Sequence, residues 1–125
     1  MIRGIGVDIT EIQRIEKACQ REAFFFRIFS EAERQLIGSN MSRAAGNFAA
    51  KEAFAKVLGT GFRGFSPIDV EVLRDDLGKP FYRLNGAAAE KAAAVGINAL
   101  QLSISNTKQL AIAYAIGENT AMDRD

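Results

Sequence analysis

A helix that is apolar almost throughout, yet carries three charges, constrains this chain more than any other feature. The segment 48–61 reads FAAKEAFAKVLGTG. At about 100° per residue, Asn47, Lys51, Glu52 and Lys56 fall in one sector, while Gly46, Ala49, Ala50, Ala53, Phe54 and Val57 fall opposite. A helix this apolar must be buried over most of its surface. One carboxylate and two ammonium groups are then expected to share a narrow strip, which, beside the early Asp8, has the makings of a site for a metal and a polyphosphate. Taken alone, Glu52 and Lys56 also read as a surface ion pair at i, i+4, worth ~0.2–0.5 kcal/mol.

With 125 residues, 48% of them apolar, the chain suits one domain, burying roughly two-thirds of the surface its unfolded form exposes. Sixteen basic and fifteen acidic residues leave a net charge of +1. No global field therefore draws it to nucleic acid or a membrane, and a polyanion has to be recognised locally. A single cysteine, Cys19, forbids an internal disulfide and fits a reducing cytoplasm. No apolar run reaches the ~18 residues of a membrane span, and the first residues lack the apolar stretch of a signal peptide. The chain has no histidine, which excludes Ser-His-Asp and Cys-His relays and His/Cys zinc sites. Acid-base work falls to Asp, Glu, Lys or water. Any catalytic metal should be a hard, oxygen-liking cation such as Mg²⁺.

Along the chain, Ile5, Val7 and Ile9 alternate with Gly4, Gly6 and Asp8, predicting a strand with the aliphatic face buried and Asp8 on the other. Thr10 with Gln13, and Ser30 with Glu33, have the spacing of capping boxes. The first precedes a helix carrying Ile12, Ile15 and Cys19 inward; the second opens a short helix closed by Gly38. Residues 24–29 form an apolar knot, and a long helix is predicted over 42–58, ended by Gly59. A hairpin should follow around 75–78, then an Ala-rich helix over 87–95 and a second hairpin from 100–104 and 110–116. Helices followed by hairpins point to an α+β domain over 1–117, with a polar C-terminal tail at 118–125.

In order along residues 2–116, Gly4-Ile5-Gly6-Val7-Asp8-Ile9 with Glu11 and Arg14, then the 48–53 block with Lys56 and Gly59-Thr60-Gly61, then Gly78-Lys79-Pro80 and Ser103-Ile104-Ser105, resemble the holo-[acyl-carrier-protein] synthase family. The resemblance implies a 4′-phosphopantetheinyl transferase-like fold and transfer of the 4′-phosphopantetheine arm of coenzyme A to a serine of apo acyl carrier protein. Adenosine 3′,5′-bisphosphate would be released, Mg²⁺ required, fatty acid biosynthesis served, and the protein would be a homotrimer with active sites at subunit boundaries. It implies Asp8 and Glu52 as metal ligands and catalytic residues, Lys56 on the departing bisphosphate, and Glu52 or a water as acceptor of the serine proton. Coenzyme A would run past Asn47, Lys51, Lys56, Gly59, Thr60 and Gly61, with Pro80, Ser105 and Asn106 toward the adenosine end. Arg14, Arg21 and Arg27, with Phe25 or Phe54 as apolar anchors, would face the acidic carrier. The sequence departs from the commoner pattern where Asn47 replaces Arg and Asn106 replaces His, both associated with the 3′-phosphate and nucleotide. A Mg²⁺-dependent phosphohydrolase and a non-enzymatic oligomeric domain are the other classes these residues allow.

Overall fold

The computed structural model describes residues 1–120. Strand β1 (Ile2–Glu11) leads into three short helices, α1 (Ile12–Cys19), α2 (Glu22–Ile28) and α3 (Glu31–Ile37). The long helix α4 (Met41–Leu58) and a 3₁₀ turn at Pro67–Asp69 follow. The chain closes with β2 (Val70–Arg74), β3 (Pro80–Leu84), α5 (Gly86–Ala94), β4 (Ala99–Asn106) and β5 (Leu110–Glu118). These make an antiparallel sheet in the order β1-β5-β4 and a separate β2-β3 hairpin. The fold is the expected α+β arrangement with two hairpins and one long buried helix.

Helix α4 lies across the inner face of the three-stranded sheet, mainly over β1 and β5. That face is built of small residues. Gly4, Gly6, Ala111, Ala113, Ala115 and Gly117 share it by register, and they meet Ala49, Ala50, Ala53 and Val57 of the helix. The approach is backbone to backbone: a Cβ added at Gly6 would fall on the Ala53 carbonyl oxygen, and one at Gly4 on that of Val57. Gly59, with φ 78°, ends the helix in the left-handed conformation that glycine adopts without a Cβ penalty.

This contact reverses the sequence expectation for β1. Gly6 and Thr10 are buried and Asp8 is half-buried on the helix side, whereas Ile5, Val7 and Ile9 are 57%, 48% and 61% exposed. The aliphatic face cannot be the inner one, because branched side chains would hold α4 several ångströms away. Thr10 caps nothing. Helix α1 starts at Ile12 behind Glu11 with no side-chain cap, and the Thr10 hydroxyl donates instead to Asp8 Oδ2 at 2.7 Å. The Ser30–Glu33 capping box is formed in full, and Gly38 closes α3. The apolar knot is helical, as α2, and places Ile28 and Phe29 in a second core cluster with Ile15, Ile37, Ala44 and Ala45. Strand β5 reaches Glu118, so the strand takes the first residue of the expected tail; residues 121–125 lie outside the described residues.

Overpacking a close contact costs ~1–3 kcal/mol, and here the obstacle is backbone. Gly6→Ala is therefore expected to lower unfolding stability by at least that much in urea denaturation; an unchanged midpoint would contradict the close approach.

Candidate functional site

The register of β1 puts Asp8 on the face covered by α4, three residues before the end of the strand at Glu11. Glu52 and Lys56 leave α4 on the side that looks toward this strand end. Lys56 Nζ stands 3.6 Å from Asp8 Oδ1, the carboxylate mostly shielded and the ammonium mostly exposed. The same Nζ donates to the Val7 carbonyl at 2.8 Å. Glu52 is half-buried, and its proton affinity is raised, first by burial and then by the negative charge of Asp8, with Lys56 and Arg14 opposing. Residues 44 positions apart in the sequence thus share one electrostatic neighbourhood.

Glu52, partly desolvated and beside the negative charge of Asp8, and the Asp8 carboxylate itself offer two hard oxygen donors of the kind a cation takes. Among the described residues no cluster of three or more His, Cys, Asp or Glu side chains occurs. A site of two carboxylates fits Mg²⁺, which keeps several of its waters and takes one or two protein carboxylates; it does not fit an all-protein cage. The Asp8 carboxylate is held by the Thr10 hydroxyl, leaving its other oxygen to Lys56.

The rest of the charged strip splits. Asn47 and Lys51 are 0% and 1% exposed and are committed to a buried polar network. Lys51 Nζ donates to Glu33 Oε1 at 2.7 Å, to the Val70 carbonyl at 2.7 Å and to the Pro67 carbonyl at 2.9 Å. Glu33 Oε2 accepts from Asn47 Nδ2 at 3.1 Å and from the Val72 amide at 3.2 Å, and Asn47 Nδ2 also reaches the Val72 carbonyl at 2.9 Å. Burial raises the proton affinity of Glu33 and lowers that of Lys51, and each partner's charge opposes the shift. The expectation that Asn47 and Lys51 line the coenzyme A path is therefore corrected: their polar groups tie α3 and β2 to α4. Phe54, expected as an apolar anchor for the carrier, is also corrected. It is fully buried, with its ring against Phe65 and Tyr82.

Gly59, Thr60 and Gly61 form an exposed loop at the end of α4, one turn beyond Lys56, with both glycines at positive φ. Pro80 and Asn106 come together in a cavity of about 240 Å³, lined also by Asn40, Ser42, Arg43, Gly46, Arg74, Gly78 and Ile104. Ser105 points to the opposite, outer face of the sheet, across from Ile112. Arg43 and Arg74 escaped the sequence reading because only the packing of β2 against α4 brings them together. Arg14 and Arg21 line a second cavity, of about 320 Å³, with Ile15, Lys17, Phe24 and Phe48. Phe24 carries Arg21 and Arg27 near its ring, at 6.0 and 5.9 Å, and Phe25 packs edge-on to Phe26. The basic-apolar surface where α1 and α2 meet α4 is thus centred on Phe24 and Phe48.

Residues 4–115 match the family described as the 4′-phosphopantetheinyl transferase superfamily. The holo-[acyl-carrier-protein] synthase of Lachnoclostridium phytofermentans is 49% identical over 118 residues, covering 94% of this chain and 97% of its own. That of Clostridium acetobutylicum is 48% identical over 122 residues, covering 94% and 98%. Among solved structures, the Neisseria meningitidis holo-[acyl-carrier-protein] synthase superposes with a TM-score of 0.85 at 36% identity, covering 95% of this chain and all of that one. The Helicobacter pylori synthase, solved in complex with coenzyme A, gives 0.81 at 34% identity, covering 91% and 99%. The chain belongs to the 4′-phosphopantetheinyl transferase superfamily. Within it, the protein is an enzyme of the holo-[acyl-carrier-protein] synthase class.

The two lysines of α4 should respond differently to removal. Lys51→Met leaves Glu33 buried without its partner and is expected to cost about 3–5 kcal/mol of stability. Lys56→Met removes an exposed ion pair and should cost about 1 kcal/mol or less. Urea unfolding of both variants measures this, and equal losses would contradict the split.

Proposed function

We propose that this protein transfers the 4′-phosphopantetheine arm of coenzyme A to a serine of apo acyl carrier protein, releases adenosine 3′,5′-bisphosphate, and thereby serves fatty acid biosynthesis in the cytoplasm. The observation that carries the reading is the convergence of Asp8, Glu52 and Lys56 at one strand end. Asp8 and Glu52 would hold Mg²⁺, which when bound neutralises charge on the diphosphate. In the reaction the serine oxygen bonds to the phosphorus bearing the pantetheine arm, the diphosphate P–O bond breaks, and its electron pair leaves with the bisphosphate. Phosphoryl transfer asks the protein chiefly for position and charge. Lys56, half-exposed and already aligned on Asp8, is placed to steady the departing phosphate, and Gly59, Thr60 and Gly61 offer bare backbone beyond it. The serine proton goes to Glu52 or to water beside it.

Arg14 and Arg21, with Phe24 and Phe48, offer an acidic carrier a basic and apolar face. Arg14 also acts electrostatically on Glu52, so a carrier docked there delivers its serine next to the carboxylates.

Self-association is supported by two observations. The outer face of the β1-β5-β4 sheet carries Ile5, Val7, Ile9 and Tyr114, all substantially exposed, and Ile112 and Ile116 fall on the same face by register. Contiguous apolar surface of this kind marks an interface. Arg43 and Glu52 are separated by nine residues, about two and a half turns of α4, so the Pro80–Asn106 cavity and the carboxylates face opposite ways within one chain. A second copy bringing its cavity to the first copy's carboxylates would complete the coenzyme A path, in keeping with a trimer.

Mass spectrometry of apo carrier incubated with coenzyme A and Mg²⁺ is expected to find the added mass of the arm with the wild-type protein, and at least about a hundredfold slower with Asp8→Asn or Glu52→Gln. Coenzyme A consumed without carrier would instead favour a phosphohydrolase, and unimpaired transfer by the double variant a role without these carboxylates. Val7→Glu is expected to shift sedimentation toward the monomer and to abolish transfer together; a fully active monomer would contradict the shared site.

A further inference from the structure

Thr10 has the spacing of a helix cap and does not act as one, since α1 starts behind Glu11 with no side-chain cap. Its hydroxyl is therefore free of backbone duty. Two residues apart in a strand, Asp8 and Thr10 project from the same face. Their cross-strand partners are Ala113 and Ala111, which have no polar side-chain atom to offer. Thr10 is buried, and a buried hydroxyl without an acceptor is costly. The acceptor it has among the described residues is Asp8 Oδ2, at 2.7 Å.

The two oxygens of Asp8 are thus unequal. Lys56 Nζ lies 3.6 Å from Oδ1, beyond hydrogen-bond length, and donates to the Val7 carbonyl at 2.8 Å. Oδ1 accepts no hydrogen bond from a described residue and keeps its lone pairs for a cation. Rotation of a carboxylate about its Cβ–Cγ bond is otherwise broad. Anchoring Oδ2 restricts that rotation, so Oδ1 is held ready in advance and the ordering cost of binding falls. Carboxylates that ligate metals are commonly held in this way by a hydrogen bond from outside the ligand set. We propose that Thr10 is the positioning residue of the cation site, gripping Asp8 Oδ2 so that Oδ1 is the oxygen presented. The inference rests on the reading of Asp8 as a metal ligand; it adds which oxygen is offered and what holds it. Only the hydroxyl has this role, and the Thr10 methyl has none.

Titration of the assembled protein with Mn²⁺, without nucleotide, tests this apart from turnover. Mn²⁺ prefers the same oxygen ligands as Mg²⁺, and its electron paramagnetic resonance signal counts the free ion. Asp8→Asn is expected to weaken Mn²⁺ binding most. Thr10→Val, which keeps the branched shape and loses the hydroxyl, should weaken it about tenfold, the scale on which such outer partners act. Thr10→Ser, which keeps the hydroxyl and loses the methyl, should stay within about twofold of wild type. Thr10→Ala also lacks the hydroxyl and carries the test if Thr10→Val does not fold. Wild-type affinity in the variants without the hydroxyl overturns the proposal, and so does a loss in Thr10→Ser as large as theirs. Equal binding by the wild type and Asp8→Asn would instead overturn the reading of Asp8 as a ligand, and the proposal with it.

Discussion

The seating of α4 on a floor of glycine and alanine is the contact on which the rest of the structure depends. Residues with no side chain at Gly4 and Gly6 let the helix backbone lie almost against β1, and the alanines of β5 continue the floor. Only at that distance does Lys56 reach both Asp8 and the Val7 carbonyl. A single valine in place of Gly6 would lift the helix and separate the carboxylates, although no charged residue had changed. The same tight face accounts for the exposed aliphatic one: with α4 taking the small side, Ile5, Val7 and Ile9 are left for another molecule to cover.

Helix α4 uses its charges in two physically distinct ways. Lys51 lies in the interior, where its ammonium survives because Glu33 and two carbonyls replace its water. Losing any partner there leaves a desolvated charge, so the network locks α3 and the start of β2 to the helix. The hairpin is held further by Glu71, whose carboxylate accepts from Arg83, Ser30 and Asn85; the Arg83 bond, with the other two assisting against burial, brings it down to about 2. Glu52 and Lys56 sit one and five positions further along, where solvent still reaches, and their charge remains available. A buried inner pair beneath an outer pair that solvent reaches gives α4 a fixed foundation while leaving the outer charges at the surface.

Much of this was legible in the sequence because it is written in local terms. Ser30 and Glu33 form the capping box their spacing promises, Gly59 ends α4 where only a residue free at positive φ does so cheaply, and both hairpins pair as their alternation implies. What the spacing could not convey is which neighbour claims a polar group. Thr10 and Gln13 have the same spacing, yet Asp8 takes the hydroxyl. Period-two alternation in β1 distinguishes two faces without saying which is covered, and here the less hydrophobic one is, since its partner is backbone. Lys51 and Glu52 are neighbours in the sequence and share the charged half of the helical wheel, about 100° apart, but Glu33, eighteen residues before Lys51, decides that one turns inward. Arg43 and Arg74 form a pair only through the tertiary fold and left no local signal.

We propose that Asp8 and Glu52 act as one cation site held together by α4. Following the side-chain carboxyl carbons of both residues by NMR, while Mg²⁺ is added in the presence of adenosine 3′,5′-bisphosphate, tests it most directly. Both signals are predicted to move together along a single binding curve. A response from one carboxylate alone, or two curves with different midpoints, would contradict it.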